Sequence, residues 1–177
     1  ADVIPGVTLN LLKTTTAPVE VSVSADKKAV KDKIEAFQQA YNKVNSLVAD
    51  LTRYDKESKK AQPLQGDSTA VGLQNALRGL VGRPDASGTY LSDLGLELQQ
   101  NGSISINATK LDKALSELPK LEATLTASTG NGATDGLVTR MRDFAFRSNS
   151  VDGNITGRSN ALQAALKRNN SDQEDMN

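Results

Sequence analysis

KKAVKDKIEAFQQAYNKVNSLVADLTRY, residues 27–54, decides how this chain folds. Val30, Ile34, Phe37, Tyr41, Val44, Val48 and Leu51 recur at alternating steps of four and three. That is an a/d seam of a 3.5-residue period, a narrow apolar stripe shaped to meet another helix in a coiled coil or long bundle. Lys27, Lys31, Asp32, Glu35 and Lys43 flank it, and Asp26 or Ser24 can cap its start by accepting a backbone N–H. The pattern closes near Tyr54, where Asp55 falls on the seam and the polar run 56–60 begins. The seven seam residues are the candidate functional positions, as packing positions and not catalytic ones. The seam is expected to be completed by another segment of a longer chain or shared between subunits.

Working outward, Asp67 or Ser68 opens a second helix with the stripe Ala70, Leu73, Leu77 and Leu80, stopped by Gly82-Arg83-Pro84. A loop follows over residues 84–89. Residues 94–107 then carry a compact hairpin. A two-residue Asn101-Gly102 turn would split its apolar residues between two faces. A three-residue loop, 100–102, instead pairs Gln99 with Ser103, Leu98 with Ile104 and Leu96 with Ile106, with Gly102 left-handed. Asn107 caps a short helix with Leu111, Ala114, Leu115 and Leu118, and Pro119 opens a further turn or two. The stretch 128–136 is a Gly/Thr/Asn linker. Leu137, Met141 and Phe144 mark another helix, and Ile155, Leu162 and Leu166 a last one that fades into a frayed polar tail over 169–177. Towards the start, Val7, Leu9, Leu11 and then Val19, Val21, Val23 alternate as two strands that must complete a sheet elsewhere.

Composition narrows the function. The 177 residues hold 21 basic and 21 acidic side chains, a formal net charge of zero, with 37% apolar and 3% aromatic residues. Such a core is built mainly from Leu, Val, Ile and Ala. Cys and His are both absent, which removes disulfides, thiolate or imidazole metal sites and imidazole general bases, so no metal or other cofactor is expected. Neutral charge with few aromatics argues against nucleic acid, and no apolar run approaches a membrane span. Ser24-Ala25-Asp26-Lys27 fits the S-x-x-K pattern of acyl enzymes, but S-D-N and K-T-G partners are missing and Asp26 would keep Lys27 charged. Helix capping accounts for it, and no enzyme is expected. The N-x-S/T sequons at Asn101 and Asn107 are explained by a turn and a cap, and the short Gly/Asn/Asp runs near 130 and 152 by turns, since neither run carries the oxygen ladder of a calcium loop.

Several of these segments together resemble the C-terminal region of the bacterial flagellar filament cap protein family, hook-associated protein 2. The carriers are Ile4-Pro5-Gly6-Val7-Thr8-Leu9-Asn10-Leu11, Val19-Glu20-Val21-Ser22-Val23-Ser24-Ala25-Asp26, and the helix with Ile34-Glu35-Ala36-Phe37 and Ala40-Tyr41-Asn42. Leu64-Gln65-Gly66-Asp67-Ser68-Thr69 is similar to the family's L-x-G-D-S-T helix start. Leu91-Ser92-Asp93-Leu94-Gly95-Leu96, Asn101-Gly102-Ser103-Ile104-Ser105-Ile106 and Lys110-Leu111-Asp112-Lys113-Ala114-Leu115 follow its next block in order. Asn101 and Asn107 stand where the family usually has Asp, and Leu121 and Leu125 where it generally has a Phe.

The resemblance implies a mostly helical α+β fold, a coiled-coil-like bundle with a small β-hairpin, preceded by two strands from a β-rich domain. Residues 1–25 would end that outer domain and 26–168 form the returning half of a helical inner domain, whose outgoing half would fill the heptad seam. It further implies a structural protein of the flagellum, exported without a cleaved signal and located outside the cell at the filament tip. There it would form a ring-like homo-oligomer that promotes flagellin polymerisation and filament elongation. Its implied partners are further copies of itself, flagellin, the export machinery with its chaperone, and, in some members, host mucin through adhesion. The alternatives are another flagellar axial protein (flagellin or a hook–filament junction protein) and a secreted glycan-binding adhesin.

Overall fold

The computed structural model describes residues 13, 14, 20, 25–55, 57, 59–150 and 153–176. Both expected N-terminal strands, and Ser24 of the S-x-x-K match, lie outside these residues. The elements in order are α1 (Lys27–Thr52), β1 (Tyr54–Asp55), β2 (Lys60–Ala61), α2 (Ser68–Gly82), a 3-10 turn (Leu91–Leu94), β3 (Leu96–Leu98), β4 (Ile104–Ile106), α3 (Ala108–Ala114), α4 (Leu118–Thr126), α5 (Leu137–Asn149) and α6 (Asn154–Asp175). The mostly helical α+β architecture expected from the sequence is borne out.

Three helices start on side-chain caps. Asp26 accepts the Ala29 N–H at 2.9 Å, Asp67 the Ala70 N–H at 3.0 Å and Asn107 the Lys110 N–H at 3.2 Å. Each satisfies one of the N–H groups that the first turn leaves without a carbonyl. α2 ends at Gly82 because Arg83 precedes a proline and is held extended, at φ −91° and ψ 143°. Pro119 sits in the first turn of α4, where its missing N–H costs nothing.

The hairpin has the expected register, with Leu96 opposite Ile106 and Leu98 opposite Ile104. The Gln99 N–H donates to Ser103 O at 2.8 Å. Gly102 has φ +83°, and a Cβ there would meet Asn45 Oδ1 and Arg78 Nε at 2.7 Å, so the loop needs glycine twice over. Leu96, Ile104, Leu111, Leu121 and Leu137 are the most buried large side chains. They place the core where the hairpin meets α3, α4 and α5, with Ile34 and Tyr41 of α1 and Leu77 and Val81 of α2 closing it.

Two local features go beyond the sequence pattern. Where the sequence shows only a polar run after α1, Tyr54 pairs with Ala61 and Asp55 with Lys60 in a two-residue antiparallel ladder. In place of a frayed tail over 169–177, α6 continues as helix to Asp175, with no buried residue anywhere along its 22 residues.

Candidate functional site

The structure divides the seven seam residues of α1 among different surroundings. Ile34, Tyr41 and Val48 are buried; Val30, Phe37 and Leu51 are half-buried. Val44 is 45% exposed, and Asn45 is buried beside it. The buried face thus follows a true helical period and brings amides as well as hydrocarbon onto the hairpin.

Those amides do specific work. Asn42 Oδ1 accepts the Ile104 N–H at 2.7 Å while its Nδ2 donates to Ile104 O at 2.8 Å. Gln38 Nε2 donates to the same carbonyl at 2.7 Å, and Asn45 Nδ2 donates to Asn101 O at 3.2 Å. The three sit four and three residues apart on one face of α1, and that amide stripe was the available sequence signal. Next to them, Phe37 and Tyr41 pack as tilted rings with centroids 6.3 Å apart. Burial pushes the Tyr41 phenol up, against a smaller opposing pull from Arg78, and its hydroxyl has no hydrogen-bond partner.

Beside that buried face, the C-terminal part of α1 borders an open groove. Leu47 is 57% exposed, and with Leu51 it borders a groove of about 330 Å³ whose other walls are Leu64, Leu73, Ile155 and Leu162. The groove therefore runs between α1, α2 and α6. Arg158 fixes the base of α6 there by pairing with Asp67 at 2.7 Å. The Ala70 N–H, with Arg158 adding to it against the cost of burial, holds the Asp67 carboxyl below its usual range.

A second polar node lies at the far end of α2. Arg140, only 4% exposed, donates from its two Nη atoms to Pro84 O and Arg83 O, each at 3.3 Å. Burial and the nearby Arg83 charge lower its pKa, while Asp85 and Asp135 oppose them. Burial likewise pulls Asp85 up, yet hydrogen bonds from Ser87, Thr89 and Thr124 prevail and hold it below the ordinary carboxylate range. Asp135 is lowered by the Thr129 backbone and hydroxyl. Among the described residues no group of three acidic side chains is placed to hold a metal ion, and no helix is long and apolar enough to cross a membrane.

Amide clamps, an apolar groove and an exposed helix are the surfaces this helical module presents. The chain belongs to the flagellar hook-associated protein 2 family: residues 1–177 match the family described as flagellar hook-associated protein 2 C-terminus. It is 32% identical over 184 residues to the A-type flagellar hook-associated protein 2 of Pseudomonas aeruginosa, covering 99% of this chain and 37% of that protein. It is also 32% identical over 124 residues to the hook-associated protein 2 of Helicobacter pylori strain J99, covering 67% of this chain and 18% of that one. The chain thus spans well under half the length of these relatives. In fold it is similar to the flagellar cap protein FliD D1-D2-D3 domains from Escherichia coli, with a TM-score of 0.64 and 23% identity over 78% of this chain and 37% of that one. The family resemblance read from the motifs is borne out.

Proposed function

We propose that this chain is the helical, returning half of the inner domain of a filament cap, with residues 1–25 the end of a β-rich outer domain. The cap would form a ring-like oligomer at the filament tip, outside the cell, and promote flagellin insertion and filament elongation. The observation that carries this reading is the apolar surface left open on α1 and α6 by Val44, Leu47, Ile155, Leu162 and Leu166, each at least 44% exposed. Leu47, Ile155 and Leu162 meet around one groove, and apolar surface of that kind favours a protein contact over open water. The heptad residues Val48 and Leu51 border the groove, so an outgoing helix from the rest of the parent polypeptide fits between α1 and α6. Export machinery, its chaperone and, for adhesion, host mucin are further partners of this reading, and the role is structural rather than enzymatic.

Electron microscopy of cells lacking the parent gene tests it. Short or absent filaments with unpolymerised flagellin in the medium, restored by the full-length protein, are the expected result. Normal filaments with reduced surface attachment would reject the cap role in favour of an adhesin.

A further inference from the structure

At the end of α2 opposite the apolar groove lies a cavity of about 300 Å³ lined by Leu80, Arg83, Arg140, Asp143, Phe144 and Arg147. Three guanidinium groups border one small space, and their counter-charges are unevenly shared. Arg140 is faced by Asp85 and Asp135. The Asp143 carboxylate is engaged by Arg142, at 3.2 Å from Nε and 3.1 Å from Nη2. Arg83 and Arg147 have no ion pair among the described residues. The buried Arg140 Nε also has no hydrogen-bond partner. The cleft is therefore cationic, with two free forked donors over a floor of Leu80 and Phe144, a chemistry suited to carboxylates.

The matching charge lies on the same chain. Asp172, Glu174 and Asp175 crowd the last turns of α6, all exposed and in no ion pair among the described residues. Asp172 and Asp175, three apart, share a face. The arm cannot reach its own cleft. Ile155 lies by Leu73 and Arg158 binds Asp67, so α6 departs towards the N-terminal end of α2, away from Arg83. Its 22 residues carry Asp175 roughly 30 Å from Asn154.

We propose that the acidic stretch of α6 in one copy docks by Asp172 and Asp175 against Arg83 and Arg147 at the rim of this cleft in a second copy. The contact joins different surfaces of the two subunits, so repeating it closes a ring or extends a chain. It deepens the cap reading by naming a subunit contact, and rests on that reading only for its biological setting.

The test is a charge exchange in the full-length protein, read by sedimentation at low salt. Arg83→Glu with Arg147→Glu, and separately Asp172→Lys with Asp175→Lys, should each weaken self-association at least about tenfold. An equimolar mixture of the two variants should restore it to within about threefold of the unaltered protein. Unaltered association of either variant, failure of the mixture to recover, or an unaltered protein that stays monomeric would each overturn the contact. All the substituted side chains except Arg83 and Arg147 lie on the solvated arm, and circular dichroism on both variants separates misfolding from lost docking. Restoration of filaments by the unaltered protein judges the cap role separately, so either idea can fail alone.

Discussion

Asn42 is chemically a copy of the peptide unit it binds. One oxygen and one N–H group on a planar amide meet the N–H and carbonyl of Ile104, at 2.7 and 2.8 Å. Bonded pairs in this hairpin fall at Gly95/Asn107 and Gln99/Ser103. The antiparallel alternation therefore turns the polar groups of Ile104 away from β3. Without Asn42 the Ile104 N–H would lose its partner next to a side chain that is 1% exposed. Gln38 would still reach the carbonyl. Asn42→Ala should therefore lower unfolding stability by about 1–3 kcal/mol, measured by urea denaturation, whereas Gln38→Ala should cost less because Asn42 remains on the shared acceptor. Equal losses for the two would refute this division of labour.

At the scale of elements, the short capped helices and the hairpin were legible because local chemistry specifies them. Asp26, Asp67 and Asn107 each stand before an apolar period. Leu96, Leu98, Ile104 and Ile106 allow one register that shares a face, and Gly102 supplies the only backbone able to close it. Less legible was the rotation of α1 about its axis. A 3.5-residue reading put Val44 in the seam, but the hairpin offers backbone polar groups, so Asn42 and Asn45 face it and Val44 turns outward. Heptad spacing records hydrophobicity and is blind to amides that pair with a strand edge. The ladder of residues 54–55 with 60–61 was missed for a related reason, since two-residue strands have no periodicity to detect.

The anchoring of α6 makes a pH prediction at this same scale. The carboxyl of Asp67 is held below its ordinary value, so its contribution is complete above the unfolded pKa of about 3.9 and lost as pH falls through the lower folded value. Thermal midpoints measured from pH 5 downwards should therefore fall more steeply for the native chain than for Asp67→Ala. Arg158→Ala should lie between them, because the Ala70 N–H still favours the charged form. A slope unchanged by either substitution would remove Asp67 from the acid response.

For the whole molecule, burial is one-sided. Leu96, Ile104, Leu111, Leu121 and Leu137 concentrate at the hairpin end, whereas the α1–α6 side keeps Leu47, Leu162 and Leu166 in solvent. A double change, Val44→Asp with Leu47→Asp, should shift the stability of this chain alone by no more than about 0.5 kcal/mol per site, as for surface positions. The same change in the full-length protein should abolish filament elongation in complemented cells. A large loss of stability in the isolated chain would place those side chains inside its own core instead.

The Asn42 clamp also acts as a proofreader. Slipping the hairpin by a single residue would rotate the N–H and carbonyl of residue 104 towards the other strand and present those of a serine's flank to the helix, in the wrong geometry for the amide. The misaligned hairpin would forfeit contacts to a helix 62 residues earlier in the chain as well as its own apolar pairing. Correct alignment is thus checked twice, by hydrocarbon on one side and by a peptide mimic on its edge. The occupied edge is also closed to any stray strand from another molecule.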